Sequence, residues 1–226
     1  MKISQDTILL LKSFAAINQS IVFSGDNVLR TISESKTIMA SAVVEETFPK
    51  DVGIYNLPEF LGVLSMFSNP DVDIDSATKF VRVSEGKRSV KYVFADPRVL
   101  QNSPRNLVFP NSDISFALSN ADLNAIRKAS STLSLPHLVI RGVEGKPVSL
   151  VVTDVEDMSS NAYEVELDDS MIADTDFNMV FTISNFKFLP DDYVVNISSK
   201  LISCFRSPNR SLEYFVAVEK SSSFGG

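Results

Sequence analysis

The stretch SQDTILLLKSFAAIN, residues 4–18, has the pattern of one amphipathic helix. Its large apolar side chains fall on one broad face of a helical wheel, and polar or small side chains fall on the other. The apolar face consists of Leu10, Leu11, Phe14 and Ile17, and the opposite face of Gln5, Lys12, Ala16 and Gln19. Ser4 is a residue type that accepts hydrogen bonds from the free N–H groups of a first turn. The pattern therefore predicts a helix that begins after Ser4 and ends near Asn18.

A second stretch, SNADLNAIRKASSTL at residues 119–133, repeats this design at an offset of 115 positions (119 − 4). At that offset Ser4 aligns with Ser119, and the basic Lys12 aligns with the basic Arg127. Two unrelated modules of similar size would also show some matches by chance, and this alternative explanation stays open. The recurrence of a basic residue on the same helix face weighs against it. We expect two tandem domains of similar structure.

Most of the remaining sequence alternates apolar and polar residues over short runs that are separated by turn residues, which is typical of antiparallel strands. Two more helices are predicted, over residues 56–67 and 184–189, and Pro190 ends the second of them. The sequence therefore predicts an α+β fold with few helices and many strands.

The segment between the two halves, residues 95–115, carries three prolines and has no helical or strand period. Such a segment is typical of a connection between domains. We therefore expect a first domain over residues 1–110, a second domain over residues 111–226 and an interdomain connector over residues 95–115.

Composition is ordinary for a globular chain, since 44% of the 226 residues are hydrophobic and 22% are charged. The one cysteine excludes an intrachain disulfide and fits a reducing compartment. The apolar run at residues 8–11 is bracketed by Asp6 and Lys12 and is too short to span a membrane. The net charge of −7 argues against a surface that is basic all over, but the distribution of the basic residues matters more than their total.

Enzyme and metal chemistry find little support in the sequence. His137 and Cys204 are a conceivable nucleophilic pair, but Cys204 is better interpreted as a packed residue. Residues 71–75, DVDID, resemble the start of a calcium loop, but Ser76 stands where that loop needs glycine. We expect no catalytic activity, no cofactor and no metal.

Two strings in the first half resemble the sliding clamps of large tailed phages: the opening at residues 1–18, and IYNLPEFLGVLS at residues 54–65. The resemblance covers about the first 110 residues, and beyond them it rests on the order of the elements and on residues 214–219. Clamps of this type are similar in architecture to the proliferating cell nuclear antigen. The resemblance implies a homotrimer of two-domain subunits, with six domains around a hole. Helices would line the inner face, and antiparallel sheets would form the outer wall.

A ring that slides needs loose, sequence-independent contact with phosphates, and scattered Lys and Arg side chains supply it. The resemblance together with the polar helix faces predicts these DNA-facing residues: Lys2, Lys12, Arg127, Lys128 and Lys187. The alternative that these helix faces are simply solvated stays open.

The resemblance also implies an apolar pocket under the connector that takes an extended partner peptide. By position its members would be Met39, Leu107, Phe109, Pro110, Val216 and Ala217. Ordinary packing is the alternative for each of them. The implied partners are double-stranded DNA held topologically, a replicative DNA polymerase, an ATP-driven clamp loader and further copies of the chain, with no membrane. The implied location is the cytoplasm of the infected bacterial cell.

The alternative function is that of a viral ring-forming structural or assembly protein, such as a tail component. That protein would share the many strands and the acidic surface, but it would not present basic helix faces to a channel. In either ring, the strands that we expect to join neighbouring subunits are residues 89–94 and 162–167.

Overall fold

The computed structural model describes residues 1–74, 79–105, 107–167 and 171–225. The chain divides into two compact units. The first comprises Met1–Leu107 with Ser211–Tyr214, and the second comprises Val108–Arg210 with Phe215–Gly226. The four residues Ser211–Tyr214 thus join the first unit, although the sequence-based boundary at residue 110 assigns them to the second domain. Asp75 and Ser76, on which the calcium-loop interpretation turned, lie outside the described residues.

The described part of the first unit contains two α-helices, α1 (Gln5–Ile17) and α2 (Leu57–Ser65). Its strands are β1 (Ile21–Phe23), β2 (Val28–Ile32), β3 (Ile38–Val43), β4 (Val52–Ile54), β5 (Asp71–Asp73), β6 (Phe80–Glu85) and β7 (Arg88–Val93). Strand β1 pairs with β4, β2 pairs with β3, and β5, β6 and β7 form a sheet in that order. All these pairs are antiparallel.

The described part of the second unit contains the helix α3 (Asn120–Leu133). The strands in the rest of the chain are β8 (Ile114–Leu118), β9 (His137–Gly142), β10 (Ser149–Thr153), β11 (Ala162–Glu166), β12 (Phe177–Thr182), β13 (Tyr193–Ser198), β14 (Ile202–Arg206), β15 (Leu212–Ala217) and β16 (Ser223–Phe224). One sheet has the order β11-β10-β9-β12-β16, and β8, β13 and β14 are neighbours in another. The predicted α+β fold with antiparallel sheets is confirmed.

Strand β15 lies where the two units divide, and it makes hydrogen bonds in each. Just before it, the Ser211 carbonyl accepts a hydrogen bond from the Val43 N–H of the first unit at 2.9 Å. Further along, the Val216 carbonyl accepts one from the Ser203 hydroxyl of the second unit at 2.8 Å. This strand is therefore a structural part of both units.

The helices begin where the sequence predicts, because a polar side chain satisfies a free N–H in each first turn. The Ser4 hydroxyl accepts from the Thr7 N–H at 3.2 Å, and the Asn56 side chain accepts from the Glu59 N–H at 3.1 Å. Ser119 does the same for the first turn of α3. Among the described residues, no helix is long and apolar enough to cross a membrane.

Aromatic side chains fill the core of each unit. In the first unit the rings of Phe23 and Phe48 stack with centroids 4.4 Å apart. In the second unit Phe205 is surrounded by other rings, with the Phe186 and Phe188 centroids at 5.4 Å and 4.8 Å. Each fully buried phenylalanine stabilises its unit by about 1.5–3 kcal/mol relative to an exposed one.

The prediction of a helix over residues 184–189 is wrong. The structure has only a short 3-10 turn, Ile183–Asn185, and residues 186–189 are not helical. Phe186 and Phe188 are both buried against Phe205, and residues two apart share a face in an extended chain but not in a helix. Lys187 between them is exposed, but it does not lie on a helix.

Candidate nucleic-acid interface

Lys12 is exposed on α1, whereas Leu11 and Phe14 on the same helix are fully buried. This burial fixes the rotation of the helix and therefore the direction in which the Lys12 amine projects. The side chain lines a cleft of about 230 Å³, and α2 supplies Leu61 and Ser65 to the same cleft. The first unit thus presents a positive charge beside a polar and apolar groove.

Lys2 precedes α1, and its amine contacts residues at β5 and just before it. Its amine donates to the Asn69 carbonyl at 2.7 Å and lies 3.4 Å from a carboxylate oxygen of Asp71. Asn69 also lines the cleft that contains Lys12. Lys2 and Lys12 are therefore linked only through Asn69, and the charge of Lys2 is partly offset by Asp71. An exposed ion pair of this kind contributes at most about 1 kcal/mol.

Glu46 fixes the beginning of α1, a role that sequence reasoning missed. Its buried carboxylate accepts hydrogen bonds from the Ser4 N–H and, at 2.5 Å, from the Thr7 hydroxyl. Burial raises the pKa of the Glu46 carboxyl, but these hydrogen bonds lower the pKa by more, so the net shift is downward. Glu46 lies 42 positions from Ser4 and belongs to no motif, so no signal in the sequence pointed to it.

Arg127 has structural partners as well as a charge. Its guanidinium donates from Nε and Nη2 to the Phe186 carbonyl at 3.1 Å and 2.7 Å, and from Nη2 to the Phe188 carbonyl at 2.9 Å. These bonds leave the guanidinium charged, because its positive form is the donor. They also place Lys187, which lies between the two carbonyls, next to α3. Arg127, Lys187 and the exposed Lys128 therefore share one part of the second unit.

The predicted partner-pocket residues belong to both units, and each has its own environment. Met39 in β3 and Val216 in β15 are buried. Phe109 is half-buried, with its ring centroid 6.4 Å from that of Phe215. Pro110 and Ala217 are half-buried, whereas Leu107 is exposed. A shared pocket formed by all six stays a prediction.

The beginning of the connector packs tightly on the first unit. The Ala95 N–H donates to the Gly53 carbonyl at 2.8 Å, and the Gln101 amide donates to the Ser33 carbonyl at 3.1 Å. A Cβ at Gly53 would lie 2.7 Å from the Ala95 carbonyl oxygen and 2.9 Å from a methyl of Leu100, so only glycine fits there. Residues 95–101 are therefore held in place and are not a flexible tether.

Known proteins match this chain over almost its whole length. Residues 4–98 match the family model described as DNA polymerase processivity factor, and residues 115–220 match the model described as gp45 sliding clamp, C terminal. The sliding clamp of Vibrio phage KVP40 is 31% identical over 97% of this chain and 99% of its own length. This chain belongs to the phage sliding clamp family. The sliding clamp of Enterobacteria phage T4 is 28% identical to our clamp over 98% of each chain.

Solved structures show the same fold at lower identity. Proliferating cell nuclear antigen from Entamoeba histolytica superposes on the clamp with a TM-score of 0.70 at 16% identity, over 94% of each chain. The Helicobacter pylori beta clamp, solved bound to a DNA ligase peptide, has a TM-score of 0.66 at 14% identity over 100% of our chain and 68% of its own. These relatives do not favour the alternative of a viral structural protein. In the described part of the clamp, no group of three or more His, Cys, Asp or Glu residues is placed to hold a metal.

Proposed function

We propose that this protein is the sliding clamp that encircles duplex DNA and tethers a replicative DNA polymerase, giving the polymerase processivity. The observation that carries this function is the match to sliding clamps along nearly the full chain. The structure adds two units that each present a Ser-capped helix with a basic residue at the same position. The clamp acts by retention and carries out no chemistry of its own.

The ring is proposed as a head-to-tail homotrimer, so that six domains surround the hole. Three copies carry three times the chain charge of −7, which makes the outside of the assembly repel DNA. Lys2, Lys12, Arg127, Lys128 and Lys187 then face the phosphates inside, where each supplies a contact that does not depend on sequence. Retention on DNA comes from closure of the ring more than from affinity.

Partner proteins are proposed to dock on the apolar residues at the connector, and an ATP-driven clamp loader is proposed to open the ring. The contact of the Phe109 ring with the Phe215 ring supports this, because a docking side chain that is already held costs less entropy to bind. Phage clamps act in replication within the infected host cell, so we place this protein in the bacterial cytoplasm.

Topology gives the sharpest test of encirclement. After loading, the clamp is expected to remain on nicked circular DNA at raised salt but to leave linear DNA of the same length through its ends. The measurement is the fraction of labelled clamp that co-elutes with each DNA during gel filtration, before and after a restriction enzyme linearises the circle. Equal loss from circles and linear molecules would show that affinity, and not closure, holds the clamp.

Phe109 tests the partner-docking surface. Phe109→Asp is expected to remove polymerase stimulation on a primed circular template, because a carboxylate in an apolar site is strongly unfavourable. Val108→Asp is the matched control, since Val108 is its neighbour and is 87% exposed. The control should stimulate the polymerase normally. If Phe109→Asp also abolishes assembly of the ring, then the residue is structural and the docking assignment fails.

A further inference from the structure

The strand β16 lies at the edge of a sheet in the second unit. It comes last in the order β11-β10-β9-β12-β16 and pairs antiparallel with β12. Phe224 of β16 lies opposite Phe177 of β12, and Ser223 lies opposite Asn178. Within the residues that the structure describes, no strand pairs with the other side of β16. If β16 left, the edge of β12 would present backbone N–H and C=O groups that can pair with another chain.

A slot for an aromatic ring lies on β12 beside Phe177. Phe177 stands in one row across the sheet, between Gly142 of β9 and Phe224 of β16. A Cβ on Gly142 would overlap the Phe177 ring, so this ring packs directly on the Gly142 backbone. The Phe224 ring stacks beside that of Phe177, with the ring centroids 6.4 Å apart and the planes 23° from parallel. The slot therefore already holds one aromatic side chain of the clamp itself.

Glu219 anchors the segment that leads from β15 to β16. Its N–H donates to the Val180 carbonyl at 2.8 Å, and its carboxylate accepts from the Thr182 hydroxyl at 2.5 Å. Just before it, the buried Val218 donates its N–H to the Leu201 carbonyl at 3.1 Å. Residues 218–219 would therefore stay in place if β16 detached from β12.

Beyond Glu219 the segment is held more lightly. The Ser222 hydroxyl accepts from the Val180 N–H at 2.8 Å, and the Gly225 N–H donates to the Asp176 carbonyl at 3.0 Å. Phe224 is its one large apolar side chain and is only half-buried. The exposed residues of the segment are Lys220, Ser221, Ser223 and Gly225. Because every ordered residue costs conformational entropy, a strand with so little apolar burial opens more readily than the core strands.

We propose that β16 is a releasable strand, and that an extended segment of a partner protein takes its place on β12 with an aromatic residue in the slot of Phe224. The proposal rests on the proposed function and adds a second docking surface for partners of the clamp. Strand addition supplies the backbone hydrogen bonds, and the slot supplies the specificity. Gly225 has φ of 70°, which favours glycine. The fitting segment therefore has a small polar residue, an aromatic residue and a glycine in sequence.

The chain's own strand is a strong competitor for this site. Residues 218–222 join β15 to β16, and a short tether gives the attached strand an effective concentration on the order of millimolar. A free peptide of the same sequence therefore competes poorly with it. A partner that has already docked elsewhere on the clamp brings its own segment at a similar effective concentration. Such a segment can displace β16, so this site is filled only after a first contact elsewhere.

A peptide tests whether the slot accepts a segment from outside. The probe is a fluorescent peptide with the sequence of residues 219–225, EKSSSFG, and the measurement is its anisotropy during titration with the full-length clamp. Phe224→Ala empties the slot and should bind the peptide at least tenfold more tightly than wild type. Tyr55→Ala is the matched control, because it removes an exposed aromatic ring from the first unit and should behave as wild type. A peptide with alanine in place of phenylalanine should not bind the Phe224→Ala clamp.

A reversible lock tests whether partners use the slot. Asn178 and Ser223 lie opposite each other and are both exposed, and opposite residues have Cα atoms about 4.5–5.5 Å apart, which suits a disulfide. Asn178→Cys with Ser223→Cys should close β16 onto β12 under mild oxidation. The locked clamp should stimulate the replicative polymerase on a primed circular template at least fivefold less, and reduction should restore the stimulation. Each single cysteine variant, oxidised in the same way, is the control, and the native Cys204 is buried in all of them.

The outcomes separate this site from the proposed function. Tighter peptide binding by Phe224→Ala together with a reversible loss of stimulation in the locked clamp supports the proposal. Equal peptide affinity of Phe224→Ala and wild type, or full stimulation by the locked clamp, would overturn it and leave the proposed function standing. Disulfide-linked dimers of the double cysteine variant on a non-reducing gel would identify a second copy as the occupant and overturn the partner assignment. A wild-type chain that neither stimulates the polymerase nor stays on circular DNA would overturn the proposed function and the partner assignment with it, whereas the peptide result does not depend on either.

Discussion

Helices α1 and α3 are the first helices of their two units, but their matching basic residues, Lys12 and Arg127, have different roles. Both helices begin after a serine that accepts a hydrogen bond from the first turn. On α1, Lys12 is exposed beside a cleft, whereas on α3 the guanidinium of Arg127 binds the carbonyls of Phe186 and Phe188. The two helices thus share a positive charge at this position, and in the second unit that residue also takes part in the fold.

This difference follows from the chemistry of the two side chains. A lysine is a compact charge on a flexible chain, but an arginine presents several N–H donors in a planar fork. The fork allows one side chain to satisfy two carbonyls and still remain positively charged. The carbonyls belong to the segment that stays extended so that Phe186 and Phe188 can both pack on Phe205.

The largest expected effect is at Arg127. Arg127→Ala should lower the free energy of unfolding by about 2–3 kcal/mol, because it removes hydrogen bonds from a charged donor to two carbonyls. Lys12→Ala at the matching position of α1 should change it by less than about 0.5 kcal/mol. The measurement is urea unfolding followed by circular dichroism.

Arg127→Lys separates the charge of this residue from its hydrogen bonds. The variant keeps the positive charge but loses the planar guanidinium that donates to two carbonyls. It should lose most of the stability that Arg127→Ala loses, while retaining the contribution to DNA retention at raised salt. If Arg127→Ala and Lys12→Ala were equally harmless to stability, the structural role of Arg127 would be refuted.

A smaller effect is expected where the helices begin. Glu46→Gln should lower stability by about 1–2 kcal/mol, because the buried Glu46 carboxylate binds Ser4 and Thr7. Its counterpart at α3 is Asp192, an exposed contact whose carboxylate accepts from the Asn120 N–H at 2.8 Å. Asp192→Asn should cost about 0.5 kcal/mol or less. Equal losses at the two sites would contradict the distinction.

The Glu46 effect should depend on pH with a definite sign. The pKa of this carboxyl is lower in the folded chain than its ordinary value of 4.5, so folding favours the ionised form. The contribution is therefore complete above about pH 4.5 and is lost as the pH falls through the folded pKa. The stability difference between wild type and Glu46→Gln should stay constant from pH 7 to about pH 5 and shrink below that.

The smallest expected effect is a gain at the end of α3. Ser134 is exposed and has φ of 56° and ψ of 41°, a left-handed conformation that favours glycine. Ser134→Gly should raise the melting temperature, with a gain of about 0.5–1 kcal/mol. Asn18 ends α1 in an extended conformation, and its side chain donates to the Ile32 carbonyl at 2.8 Å. Asn18→Gly should therefore destabilise, and a gain at both ends would contradict this account.

Features of the fold that depend on neighbouring residues could be predicted from the sequence. Helices α1, α2 and α3 were predicted within two residues of their starts, because capping residues and apolar period lie in the same short stretch. The prediction of a helix over residues 184–189 was wrong for a tertiary reason. The packing of Phe186 and Phe188 on Phe205 outweighs the local helical pattern. The role of Glu46 also depends on a contact between distant residues.

The candidate site also has features that the local sequence predicts and features that it does not. Exposure of Lys12 and Lys128 follows from helical periodicity, and the structure agrees with it. The hydrogen bonds of Arg127 do not follow from any local pattern, because their acceptors are backbone carbonyls about 60 positions away. Which strand completes which unit is likewise set by the fold, as the membership of Ser211–Tyr214 in the first unit demonstrates.

That shared last strand has a consequence for how the protein is made. Synthesis runs from the amino end, and the first unit receives its final residues, Ser211–Tyr214, only after the whole of Val108–Arg210 has been translated. Tyr214 is fully buried and its hydroxyl lies 3.1 Å from that of Ser13 in α1. At about 5–20 residues per second, the half-finished unit waits on the ribosome for roughly 5–20 s. During that interval the place that Tyr214 will fill beside α1 is open, so the nascent chain is most exposed to chaperones and proteases before its last strand emerges.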